Sequence, residues 1–145
     1  MPYRFQEGAC PVCACVAGTK PWVVLERTAL SAAYVPSQQT SPGSALVVPL
    51  RHVTTLTGLR RDEADDLWLL VRKVMAGVWQ AHGASGFHIS QYTGVIAEEP
   101  FAHLHWRLEP RYEERGDFVH VPFDQLPKLP LAERQRQAEL VKPFL

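Results

Sequence analysis

Residues 62–82 read DEADDLWLLVRKVMAGVWQAH, and their period decides the architecture. Leu67, Leu70, Val71, Val74, Met75 and Val78 recur three or four positions apart, which lines them along one face of a helix. Asp62 reads as the N-cap and Gly83 as the stop. Asp62, Glu63, Asp65 and Asp66 crowd the first turn while Arg72 and Lys73 come later, the order that a helix dipole favours. His82 falls at the C-terminal end, where a partly positive imidazole is favourable.

Outward from this helix the period drops to that of strands. On the N-terminal side Pro21, Pro36, Pro42 and Pro49 bracket three short segments, 22–27, 30–35 and 45–48, rich in β-branched and aromatic residues. Ser41-Pro42-Gly43-Ser44 between two of them is turn chemistry, because proline presets φ and glycine tolerates positive φ. The three strands form an expected antiparallel meander. On the C-terminal side two more strands are predicted at 86–92 and 102–108, joined by a loop containing Gly94 and Pro100. A weak stripe of Leu131, Ala138, Leu140 and Val141 predicts a short helix over 131–141. Strands, then a helix, then strands, without βαβ alternation, give an α+β fold of about five antiparallel strands packed on one long helix.

The 145 residues contain no repeat and no Gly/Ser linker, so 1–145 reads as a single domain. Lys plus Arg number 15 and Asp plus Glu 15, so the whole-chain field attracts neither long nucleic acids nor acidic membranes. No apolar run approaches the ~18 residues of a membrane span. The opening MPYRFQEGA has no apolar stretch after a basic start, which makes the cytoplasm the expected location. Cys10, Cys13 and Cys15 crowd six positions, a poor disulfide framework in a reducing compartment.

Two motifs bear chemistry. In His103-Leu104-His105-Trp106-Arg107-Leu108, strand alternation puts His103, His105 and Arg107 on one face and Leu104, Trp106 and Leu108 on the other. The polar face is either the solvated side of an edge strand or a site for an anion. Cys10-Pro11-Val12-Cys13 supplies two thiolates on one tight turn, half of a tetrahedral zinc site. Cys15 or any two of His52, His82, His88, His103, His105 and His120 are available to complete it; the alternative is that the cysteines are small buried hydrophobes. His88 and His120 alternate with apolar neighbours as exposed or satisfied strand residues do, and 111–117 (RYEERGD) reads as a solvated loop.

The N-terminal Cys-x2-Cys, then SPGSALVVPLRHV at 41–53, the amphipathic helix and HLHWRLEPR at 103–111, in this order and spacing, resemble the histidine triad (HIT) superfamily of nucleotide hydrolases and transferases. The resemblance spans roughly 10–111. By position, it implies a structural zinc held by Cys10, Cys13, His52 and His103, with Cys15 left over. It implies that His105 is the nucleophile, attacking the α-phosphorus of a nucleotide or other small phosphorylated substrate to form a nucleotidyl-histidine. It also implies a homodimer.

Four positions depart from the family's pattern. Arg107 replaces the third histidine; it can hold a phosphate bidentately but cannot hand a proton to a leaving group. Ser44 stands for the histidine after Ser-Pro-Gly, and Glu99 for the usual glutamine before the triad, where its charge opposes a phosphate unless paired or protonated. The acid that grips the ribose in many members falls at or near Pro36. The expected site is therefore His105 and Arg107 for catalysis, with Ser44, Glu99 and Arg107 contacting substrate. Two further readings are a catalytically attenuated nucleotide-binding module, and a partner-binding domain that keeps only the zinc.

Overall fold

The computed structural model describes residues 10–94, 97, 101–116 and 121–145. Eight main elements follow in order: α1 (Pro11–Val16), β1 (Val23–Arg27), β2 (Ser31–Val35), β3 (Ala45–Pro49), α2 (Arg61–His82), β4 (Gly86–Ser90), β5 (Trp106–Arg111) and α3 (Leu131–Val141). The strands form one antiparallel sheet in the order β1-β2-β3-β5-β4. The predicted meander is present, and the last strand inserts between β3 and β4.

The apolar stripe of α2 packs on one face of this sheet. Leu67, Leu70, Val71, Val74 and Val78 meet Val23, Leu25, Ala33, Val35, Ala45, Val47 and Leu108, and Ala138 and Val141 of α3 complete the cluster. At Gly77 an added Cβ would lie 2.8 Å from Leu145 Cδ2, so the missing side chain lets the C-terminus lie against α2. The opposite face is covered near its N-terminal segment by α1, whose Val12 packs on Ala32 and Val48.

Several boundaries differ from expectation for physical reasons. α2 begins two residues early: Arg60 is the N-cap, and the Glu63 carboxylate accepts from its backbone amide, so Asp62 lies inside the first turn. Gly83 ends the helix in the left-handed conformation, as predicted. His82 is half-buried, with Nε2 buried and lacking a partner among the described residues, and burial pushes its pKa down, which works against its being a dipole-stabilising cation. The Cys10–Cys13 turn is the start of a helix, with Cys10 as N-cap and Pro11 at its first position.

The largest correction concerns 102–108. The strand spans Trp106–Arg111, and His103, Leu104 and His105 precede it. Pairing with β3 stops at Val47↔Trp106. Beyond it stands Pro49, which has no N–H, and whose carbonyl is taken by His103 Nε2 at 2.9 Å. The Leu104 amide turns instead to the Val53 carbonyl, 2.6 Å away. Both histidines and Leu104 are fully buried, which removes the reading of a solvated polar face.

Candidate active site and metal centre

Four donor atoms from three separated segments converge where α1 meets the approach to β5. Cys10 Sγ, Cys13 Sγ and one ring nitrogen each of His52 and His103 all lie within 4.8 Å of one another. His103 Nδ1 is 3.4 Å from Cys10 Sγ and 3.6 Å from Cys13 Sγ, and His52 Nδ1 is 3.3 Å from Cys13 Sγ. A tetrahedral zinc with two sulfur and two nitrogen ligands has S···N edges of roughly 3.6 Å, so the spacing fits that ion. The tautomer fits as well. Because the Pro49 carbonyl can only accept, His103 Nε2 carries the proton and Nδ1 presents its lone pair to the sulfurs. Burial, with Cys10 alongside, pushes the Cys13 thiol up to about 11. Cys15 is not part of the group.

This cluster anchors the segment that presents His105. The His105 ring is fully buried, with the Phe101 ring 4.4 Å away. Its Nδ1 donates to the His103 carbonyl at 2.8 Å, which leaves Nε2 as the unprotonated nitrogen of the neutral ring. That Nε2 is buried without a partner among the described residues. Burial pushes the His105 pKa down to about 4, and the nearby Arg107 charge acts in the same direction.

Arg107 and Glu109, two apart on β5, share a face and are both buried. Arg107 Nη2 is 3.4 Å from Glu109 Oε1, which also accepts from Thr40 Oγ1 at 3.0 Å. The guanidinium lies over the Phe123 ring at 5.6 Å. Ser44 is buried, and its hydroxyl donates to the Ser41 carbonyl at 2.7 Å. Glu99 and His120 lie outside the described residues, while His88 is exposed on β4.

Sequence reasoning had not singled out Glu109, Thr40, Phe101 or Phe123. The strand period contained the signal for Glu109, which must share the face of Arg107. A contact between Thr40 and Glu109, 69 positions apart, has no local signature. A cavity of about 400 Å³ at the far end of β5, lined by Thr40, Ser41, Arg111, Tyr112 and Arg115 among others, does not include His105 or Arg107.

The comparisons agree with this geometry. The family model described as "HIT domain" matches residues 17–114. The adenosine 5'-monophosphoramidase hnt1 of Schizosaccharomyces pombe is 33% identical over 106 residues, 73% of this chain and 77% of that protein. The asymmetrical bis(5'-nucleosyl)-tetraphosphatase of the same organism is 38% identical over 95 residues, 66% of this chain, which spans about half (51%) of that protein. A zinc-bound histidine triad family protein of Mycobacterium smegmatis superimposes with a TM-score of 0.77 at 20% identity, covering 94% of this chain and 92% of that one, and so shares its fold. With the matched span exceeding half of the sequence, and a relative 33% identical over 73% of it, the chain belongs to the HIT domain family.

Proposed function

We propose that this protein is a nucleotide hydrolase or nucleotidyltransferase acting on a phosphate ester or anhydride through a covalent nucleotidyl-histidine on His105. One observation supports this above the others: His105 Nδ1 is fixed on a carbonyl, so Nε2 is unprotonated and unpartnered among the described residues, two positions from a buried guanidinium. Nε2 attacks the α-phosphorus and the leaving group departs with the P–O electron pair. Water or a second acceptor then attacks phosphorus, and the P–N pair returns to the ring. Arg107 faces the charge that develops on the phosphoryl oxygens, where a preorganised cation is most effective. Ser44 and Glu99 complete the proposed substrate contacts.

Cys10, Cys13, His52 and His103 would hold a structural zinc. Four protein donors leave no open position, so the ion's chemistry there is cross-linking rather than water activation. The reading includes one HIT-like domain over 1–145, a reducing cytoplasmic setting in which both thiols stay available, and a homodimer through α2 and the sheet edge. In support of the dimer, β4 is an edge strand with Ile89 exposed, and Trp68 and Trp79 of α2 are about half exposed. Sedimentation should then give twice the 16.3 kDa chain mass.

The direct test of mechanism is intact-protein mass spectrometry after mixing with an adenine dinucleoside polyphosphate and quenching. A nucleotidyl adduct is expected on wild type and absent from His105→Asn. Turnover by wild type that His105→Asn retains in full would refute the mechanism. Ligand-dependent stabilisation with neither adduct nor turnover would establish the binding-module reading instead.

A further inference from the structure

A polar atom buried without a partner costs stability, and folded proteins tolerate few of them. Two such atoms among the described residues flank Arg107: His105 Nε2, two positions before it, and Ser90 Oγ, on the neighbouring strand. The first is the proposed nucleophile.

The second is placed by the sheet. Ser90 is the last residue of β4 and pairs directly with Arg107 of β5. Directly opposed residues of an antiparallel pair share a face, with Cβ atoms about 4.5–5.5 Å apart. The neighbours identify that face. Phe87 and Leu108 belong to the cluster under α2, so Ser90, three positions after Phe87, and Arg107, next to Leu108, point to the opposite side, together with the buried Glu109. Across the sheet this row reads Tyr34, Leu46, Arg107, Ser90. Leu46 is buried and apolar, so the polar neighbour of the guanidinium within the row is Ser90.

The fold makes no use of this hydroxyl. Backbone groups form the β4–β5 ladder, and Ser90 Oγ bonds to neither backbone nor side chain among the described residues. Alanine would leave the pairing intact and bury one unpaired group fewer. A hydroxyl that costs the fold stability and stands beside a fixed cation has the chemistry of a contact to an anion.

We propose that Ser90 is a further substrate-contacting residue, its hydroxyl donating to a non-bridging oxygen of the phosphoryl group that His105 attacks. The inference rests on the nucleotidyl-histidine reading and adds a donor to it. Arg107 brings charge, with its Nη2 drawn towards Glu109 Oε1 at 3.4 Å. Ser90 brings direction: a short side chain on a paired strand has little freedom to lose when the bond forms. Negative charge spreads over the equatorial oxygens in the transition state, so a fixed donor aimed at one of them is stronger there than in the ground state. The proton stays on Ser90 throughout, and no covalent bond to Oγ is made or broken.

The test substrate is the 4-nitrophenyl ester of AMP, whose single phosphorus carries two non-bridging oxygens. Ser90→Ala should lower its kcat/KM at least about tenfold, as loss of one hydrogen bond to a charged group does, while Tm stays at or above that of wild type. Sulfur is a weak acceptor, so replacing each non-bridging oxygen in turn, as the Rp and Sp phosphorothioates, should slow wild type more in one isomer. Ser90→Ala should lose most of that isomer's deficit. Unchanged kcat/KM in Ser90→Ala with His105→Asn inactive, or thio effects identical in wild type and Ser90→Ala, would overturn the role of Ser90 and leave the nucleophile standing. Binding adds a readout that needs no turnover: Ser90→Ala should weaken AMP at least about threefold and leave the affinity for adenosine unchanged. Equal losses for AMP and adenosine would put Ser90 against the nucleoside and overturn the proposal. Wild type that neither turns over the ester nor binds AMP would overturn both readings.

Discussion

Arg107 occupies a position where a buried positive charge has to be compensated within the protein before any substrate arrives. Glu109 is the compensating group, and Thr40, in the loop between β2 and β3, holds it. Removing one partner of a buried pair leaves the other uncompensated, which typically costs more than the pair contributes. Glu109→Gln should therefore destabilise the fold by about 3 kcal/mol. The double substitution Arg107→Met, Glu109→Met should cost clearly less than Glu109→Gln alone. Urea denaturation of the single and double variants checks this; additive losses would show that the two charges do not interact. The substrate consequence differs in sign. Losing Glu109 removes a negative charge beside the phosphate, so KM for a nucleotide should fall while stability falls with it.

Among the elements, the loop from β2 to β3 and the N-terminal turn of α2 do the positioning. Gly43 combines φ +87° with a Cβ position 3.0 Å from His82 Cδ2 and 3.1 Å from Val78 Cγ1. Gly43→Ala is expected to cost about 1–2 kcal/mol from the left-handed backbone alone, with crowding of His82 added, and to disturb the neighbouring Ser44. A loss within error in chemical denaturation would contradict the contact. At the other end, Glu63 is buried and takes two hydrogen bonds of 2.7 Å from Arg51, with Arg60 3.1 Å away. The Arg51 hydrogen bonds hold its carboxyl down to about 2. Since the folded pKa lies below the unfolded one, this contribution is complete above about pH 4.5 and disappears as pH falls towards 2. The stability of wild type should thus fall more steeply than that of Glu63→Gln between pH 4.5 and 2.5, and the two curves should converge at the acid end. Glu63→Gln should cost about 1.5–3 kcal/mol at neutral pH, the usual range for a hydrogen bond to a charged group. Parallel curves would assign the acid sensitivity elsewhere.

These elements also show what was legible from residues alone. The α2 stripe and its Gly83 stop could be read because helix period and left-handed glycine are local properties. The order β1-β2-β3 followed from turn chemistry, whereas the insertion of β5 beside β3 depends on pairings between residues about 60 positions apart. The grouping of Cys10 and Cys13 with His52 and His103 followed from the family resemblance; the residues by themselves left Cys15 and six histidines in contention. The strand period misplaced His103 and His105 because a side chain, rather than a backbone partner, takes the Pro49 carbonyl and ends the ladder there. The Arg107–Glu109–Thr40 array lay half in view, through the shared face of 107 and 109, and half out of view in a long-range contact.

For the whole molecule the consequential fact is that the sheet has different covers on its two faces. One face is closed by α2 and α3 through a large apolar cluster that needs no ion. The other depends on α1, a helix of six residues whose buried apolar anchor is Val12. So short a helix has little stability of its own. Besides the packing of Val12 and Val16, it is tied to the sheet by the convergence of Cys10 and Cys13 on His52 and His103. An ion binding only the folded state at about 1,000 times its Kd contributes about 4 kcal/mol. At roughly 2–4 °C per kcal/mol for a chain of this size, chelation should lower Tm by on the order of 10 °C. The loss should be uneven: amide exchange in α1 and around His103 should accelerate first, while α2 keeps its protection. Because the same linkage fixes the backbone carbonyl that holds His105 Nδ1, turnover should decline in step with the metal lost rather than after global unfolding. Elemental analysis finding no stoichiometric zinc, together with a Tm indifferent to chelator, would remove the cross-link and leave α1 held by apolar packing alone.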